Sequence, residues 1–137
     1  MKILIVDDEY LLRDVAQKTL VRYGECHTAV SGDDAVAAFE GAHEAGIPYD
    51  LIMMDVMMPE SDGIETLKRI RCWEKKHGIG TEKKVKVVML TGSESKGAFL
   101  NSFSEGCEAY IMKPFDLKKI DDVLKKLGMC QHDLMPL

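Results

Sequence analysis

The sequence has no paired cysteine motif, no histidines at ligand-like spacing, no long apolar run and no basic excess. Cys26, Cys72, Cys107 and Cys130 stand far apart without a CxxC pair, so in a reducing compartment they read as small packed hydrophobes. His27, His43, His77 and His132 are equally scattered, and zinc is not expected. No stretch approaches the roughly 18 apolar residues of a membrane span, so no membrane association is expected. The opening MKILIVDDE turns acidic too early for a signal peptide, so a cytoplasmic chain is expected. With 18 Lys and Arg against 23 Asp and Glu, a basic stripe for direct nucleic-acid binding is not expected either.

What is present fits one domain. The chain has 137 residues, of which 46% are apolar, enough to bury a core. Apolar runs occur at KILIV (2–6), DLIMM (50–54), VKVVML (85–90) and AYIM (109–112), with a weaker one over Cys26 to Val30. Helical periodicity fills the gaps. Leu12, Val15, Ala16, Thr19 and Leu20 line the first helix, and Val36, Phe39 and Ala42 the second, with Ser31 and Asp34 as a capping box. Ile64, Leu67 and Ile70 mark a third, Phe99, Leu100 and Phe103 a fourth. Leu117, Ile120, Val123, Leu124 and Leu127 mark the last, with Asp116 as its N-cap. Glu74 to Lys84 reads as a surface loop, and residues 128–137 as a loosely attached tail. The pattern is (βα) five times over: an α/β fold with a central parallel sheet and helices on both faces. Strands buried on both sides explain the continuous apolar runs.

The polar residues that follow the strands carry the functional signal. Asp7 and Asp8 follow the first, Asp55 the third, Thr91 the fourth and Lys113 the fifth. In a parallel sheet all of them lie at the carboxyl edge, where open α/β sheets bind ligands. Two unit charges about 4 Å apart repel by roughly 4 kcal/mol at an effective dielectric near 20, so three carboxylates there are costly alone. A hard divalent cation relieves that cost, and Mg²⁺ takes carboxylates together with waters and phosphate oxygens. Three aspartates, one lysine and one divalent ion sum to zero charge. Such a crevice can accept a phosphoryl group, and a carboxylate can be the nucleophile that forms an aspartyl phosphate.

At this point the chain resembles a known family, the receiver domains of two-component response regulators. The matching segments are ILIVDDE (3–9), DLIMMDVMMPESDG (50–63), VVMLTG (87–92) and AYIMKPF (109–115). The resemblance covers about residues 1–127 and implies a flavodoxin-like sheet of order 2-1-3-4-5. It implies that Asp55 is the phosphoacceptor, with Mg²⁺ or Mn²⁺ held by Asp8, Asp55, the Met57 carbonyl and, through a water, Asp7. Lys113 would pair with phosphoryl oxygens, and the Lys113–Pro114 peptide would be cis. Thr91 would swing toward the phosphoryl group and Tyr110 would follow it inward. A sensor histidine kinase or a histidine phosphotransfer protein would be the donor. Output would run through the face of the fourth helix, fifth strand and fifth helix, to an unidentified protein or to a second copy of the chain. Phosphorylation would be self-catalysed, slow to reverse and not a turnover activity. The resemblance implies that Met57 and Ser93, each two residues beyond a site residue, would influence water access, and since Met57 cannot orient a water a long-lived phosphoryl state is expected.

Other readings compete. Asp7 and Asp8 could merely cap the first helix. A phosphatase of the haloacid dehalogenase type also forms an aspartyl phosphate, but it wants a DxD pair after the first strand, and here the pair is contiguous. A receiver-like module whose output ignores phosphorylation would be expected to lack part of the acidic, Thr and Lys set. A transcription factor would need a further domain. GSESKGA (92–98) has P-loop glycine spacing without the Lys-Ser/Thr. Lys118, Lys119, Lys125 and Lys126 read as a solvated face that could also meet an acidic partner.

Overall fold

The computed structural model of the chain describes residues 1–58, 61–91, 106–113 and 116–129. Five strands form one sheet: β1 (Lys2–Val6), β2 (Glu25–Ala29), β3 (Leu51–Asp55), β4 (Lys86–Thr91) and β5 (Ala109–Met112). All pairings are parallel, and the order is β2-β1-β3-β4-β5. The expected flavodoxin-like order is therefore observed. Helices α1 (Tyr10–Leu20), α2 (Gly32–Glu44), α3 (Gly63–Lys76) and a C-terminal helix (Leu117–Lys126) connect or follow the strands. Met57–Met58 and Ser61–Asp62 pair as a short antiparallel ladder between β3 and α3. No helix among the described residues is long and apolar enough to cross a membrane.

The sheet has two buried faces because its strand residues alternate between two cores. Leu4, Val6, Ile52, Met54, Val87 and Met89 pack with Val36, Phe39, Leu67 and Ile70 of α2 and α3. Ile3, Ile5, Leu51, Met53, Val88 and Leu90 pack on the other face with Ala16, Leu20, Ile120 and Leu124. Each large side chain so buried contributes about 1.5–3 kcal/mol.

Local signals decide where the helices begin. The Ser31 hydroxyl accepts the Asp34 amide at 3.1 Å, and the Asp116 carboxylate accepts the Lys119 amide at 2.9 Å, so both expected caps form. Helix α1 behaves differently: its N-cap is Glu9, with no side-chain cap bond. Neither Asp7 nor Asp8 is therefore the N-cap itself, although the Asp7 carboxylate accepts the Glu9 amide just ahead of the helix. Two further expectations are corrected. Val15 is exposed rather than core, because Ala16 and Leu20 alone face the sheet closely enough to be buried. Glu74 to Lys76 belong to α3 rather than to a loop, and a short 3-10 turn follows at Thr81–Lys83. The expected fourth helix, Gly92, Ser93, Pro114 and the chain after Met129 lie outside the described residues.

Candidate functional site

Strand order places the site. β1 lies between β2 and β3, so the connections leaving β1 and β3 diverge and open a crevice at their carboxyl ends. Asp7 follows β1 directly and Asp55 ends β3, and both are buried, at 1% and 4% exposure. Asp8 is exposed at the rim. Carboxylate oxygens of the three aspartates lie within 4.8 Å of one another. Opposite ligands of an ion bound at about 2.1 Å stand roughly 4.2 Å apart, so the spacing suits a small hard cation. An Mg²⁺- or Mn²⁺-type donor set is thus assembled from two strand ends.

The backbone holds this arrangement firmly. The Asp7 amide donates to the Ala29 carbonyl at 3.2 Å, and the Asp7 carbonyl accepts from Arg13 Nη1 at 2.9 Å. Its Oδ1 accepts the Glu9 amide at 3.0 Å. Gly63, at the start of α3, lies so near the Asp55 main chain that a Cβ there would overlap the Asp55 carbonyl oxygen. The Gly63 amide also donates to the Val56 carbonyl at 2.9 Å, which seats α3 against the end of β3. Gly63 closes the DLIMMDVMMPESDG segment, where only the fold shows how near its backbone comes to Asp55.

Lys113 comes from the end of β5 and reaches both buried carboxylates. Its Nζ is 3.2 Å from Asp55 Oδ1 and 3.5 Å from Asp7 Oδ2. Burial alone would lower its pKa. The charges of Asp55 and then Asp7, with hydrogen bonds to both, outweigh that and raise it above the ordinary value of 10.5. The ammonium is therefore fully charged at neutral pH.

Thr91 ends β4, one residue beyond the Asp55–Leu90 register pair, and is 3% exposed. Its carbonyl accepts the Lys113 amide at 2.7 Å. Tyr110 is 37% exposed on β5, in register with Met89. Met57 lies in the ladder beyond β3, paired with Asp62. The strand ends thus bring Asp7, Asp8, Asp55 and Lys113 into one crevice, with Thr91 beside it and Tyr110 on the adjoining strand.

A model described as the response regulator receiver domain matches residues 3–125. The chain belongs to the response regulator receiver domain family. Receiver domains are signalling modules, and this one has receiver relatives in several architectures. It is 34% identical over 120 residues to the transcriptional regulatory protein ResD of Bacillus subtilis, covering 87% of this chain and 44% of that protein. It is 32% identical over 128 residues to hybrid signal transduction histidine kinase L of Dictyostelium discoideum, covering 93% of this chain and 7% of that protein. The receiver thus spans less than half the length of either relative. Among solved structures it resembles a co-crystal of the Saccharomyces cerevisiae phosphotransfer protein Ypd1 with the receiver domain of Ssk1. That match has a TM-score of 0.81 and 27% identity, covering 100% of this chain and 94% of the other. The chemotaxis protein CheY4 of Vibrio cholerae matches with a TM-score of 0.75 and 27% identity, covering 91% of this chain and 96% of that one.

Proposed function

We propose that this receiver domain accepts a phosphoryl group on Asp55 and signals through the change that follows. The carrying observation is Lys113, whose ammonium lies between the buried carboxylates of Asp55 and Asp7 at the switch point of the sheet. A divalent cation, Mg²⁺ or Mn²⁺, would be held by Asp7, Asp8, Asp55 and the Met57 carbonyl. When bound it would neutralise phosphoryl oxygens as they approach the carboxylates. An Asp55 oxygen attacks phosphorus as the bond to the donor's imidazole nitrogen breaks, and the released imidazole takes a proton. Lys113 then exchanges part of its pairing with Asp55 for the new phosphoryl oxygens. The Thr91 hydroxyl turns toward them, and Tyr110 moves into the space that Thr91 leaves.

The donor is a histidine kinase or a histidine phosphotransfer protein, by likeness to the hybrid kinase and to the Ypd1 complex. Output passes to a protein partner through the β5 and C-terminal helix side, or to a second copy of the chain. Incubation with acetyl phosphate and Mg²⁺ tests the assignment. The intact protein gains one phosphoryl mass and Asp55→Asn gains none. Stoichiometric labelling of Asp55→Asn would remove Asp55 from the role, and EDTA should suppress labelling of the wild type.

A further inference from the structure

The opposite edge of the sheet, where the strands begin, holds a second polar feature. The segment after α2 and the segment between α3 and β4 enclose a cleft of about 560 Å³. That volume lies within the range of roughly 300–1,000 Å³ typical of small-molecule sites. Lys83, Lys84, Lys86 and His43 line it, against the acids Asp50 and Glu82. Asp50 is already engaged, since its Oδ2 accepts the Lys2 amide at 2.8 Å. The three lysine side chains have no ion-pair or hydrogen-bond partner among the described residues.

Unpaired lysines also occur on α3 and the C-terminal helix among the described residues, but here three of them line one cleft. On the C-terminal helix Lys125 pairs with Asp121 at 3.4 Å, and on α1 Lys18 pairs with Asp14 at 3.0 Å. In the cleft none of the three lysines is in such a pair, and with Asp50 and Glu82 also lining it the five side chains leave a net positive charge. Pro48, Ile79 and Met129 supply an apolar wall beside them. The Tyr49 hydroxyl is already paired with His27 Nδ1 at 2.7 Å. A concave site lined by three lysines and by apolar side chains fits a small amphiphilic anion better than a flat macromolecular surface.

We propose that this cleft binds a small organic anion carrying two or more negative charges, of the nucleoside diphosphate class. Lys83, Lys84 and Lys86 take the phosphate end, and the Pro48, Ile79 and Met129 wall takes the organic end. The proposal does not depend on phosphorylation of Asp55.

Isothermal titration calorimetry of the full chain with ADP tests it, in buffer freed of divalent cations by a chelating resin so that no cation draws the ligand to the aspartate crevice. Saturable one-site binding is expected, with pyrophosphate and adenosine each binding at least several-fold more weakly. The K83Q/K84Q/K86Q variant should raise the Kd at least tenfold, while its far-UV circular dichroism and its labelling by acetyl phosphate stay unchanged. If that variant misfolds, Lys84→Gln alone should raise the Kd about threefold. The sole tryptophan offers a second readout. His43 lines the cleft and its ring centroid lies 4.7 Å from that of Trp73, so filling the cleft should change Trp73 fluorescence. No saturable heat up to millimolar ADP would overturn the proposal, as would an unchanged Kd in the lysine variants. Displacement of ADP by a poly-glutamate peptide that binds more tightly would overturn it too, by giving the surface to an acidic macromolecule.

Discussion

Two buried carboxylates share one ammonium, and a third carboxylate waits at the rim. Without a cation Asp8 feels the charges of Asp7 and Asp55, and no ion pair between Asp8 and Lys113 offsets them among the described residues. Asp8→Asn should therefore stabilise the metal-free protein, by about 1 kcal/mol for a charge in this partly solvated position. Urea unfolding in EDTA measures that gain. Adding Mg²⁺ should raise the wild-type midpoint and move the variant much less, because only a ligand bound to the native state stabilises by mass action. A variant that gains nothing in EDTA would mean that the cluster carries no repulsion. Lys113 contributes with the opposite sign. Its folded-state pKa lies above 10.5, so its stabilisation is fully present below that value and is lost as pH rises through the raised one. The stability difference between wild type and Lys113→Met should stay flat through neutral and mildly alkaline pH and shrink only above 10.5. A difference that vanishes between pH 7 and 9 would contradict the pairing.

At the scale of elements, Arg71 of α3 ties three of them together. Its guanidinium donates to Glu74 at 2.7 Å, to the Val85 carbonyl at 2.9 Å, to the Gly106 carbonyl and to Glu108 at 2.8 Å. Glu74 is fully buried and also accepts the Val85 amide, while Glu108 accepts the Val87 amide at 2.6 Å. Helix α3 and the starts of β4 and β5 are thus pinned by one side chain. Arg71→Leu would leave Glu74 buried without its cation, at a cost of about 3–5 kcal/mol. Chemical unfolding checks this, and Arg71→Leu with Glu74→Leu together should recover much of the loss. Little of this network was legible in the sequence. Arg71 and Glu108 look like any surface charges, and their pairing depends on segments 37 residues apart. Glu74 did leave a trace: it continues the helical stripe of Leu67 and Ile70, so a carboxylate occupied a core position. Reading the segment as a loop from Glu74 onward hid it. Val15 failed for the reverse reason, since an apolar residue on a helical stripe is not obliged to be covered.

Across the whole molecule, two cores share the strands β1 to β4, so neither is expected to melt alone. Leu124 is 1% exposed in the core under the C-terminal helix, while Trp73 packs against the other core, across the sheet. Leu124→Ala should cost about 2–5 kcal/mol and lower the unfolding midpoint seen by Trp73 fluorescence and by circular dichroism to the same extent. Separate transitions would show that the two layers are independent. The overall architecture was readable because five short apolar runs alternating with helical stripes admit few topologies. The positions of Asp7, Asp55, Thr91 and Lys113 followed from that, since the ends of parallel strands share one edge. Contacts that link the opposite ends of the strands had no comparable rule behind them. The Lys113 amide is bonded to the Thr91 carbonyl at 2.7 Å. Those two residues cannot part without exposing that amide to solvent. Its rate of deuterium uptake therefore acts as an internal clock for any opening between β4 and β5, readable without a partner or a mutation.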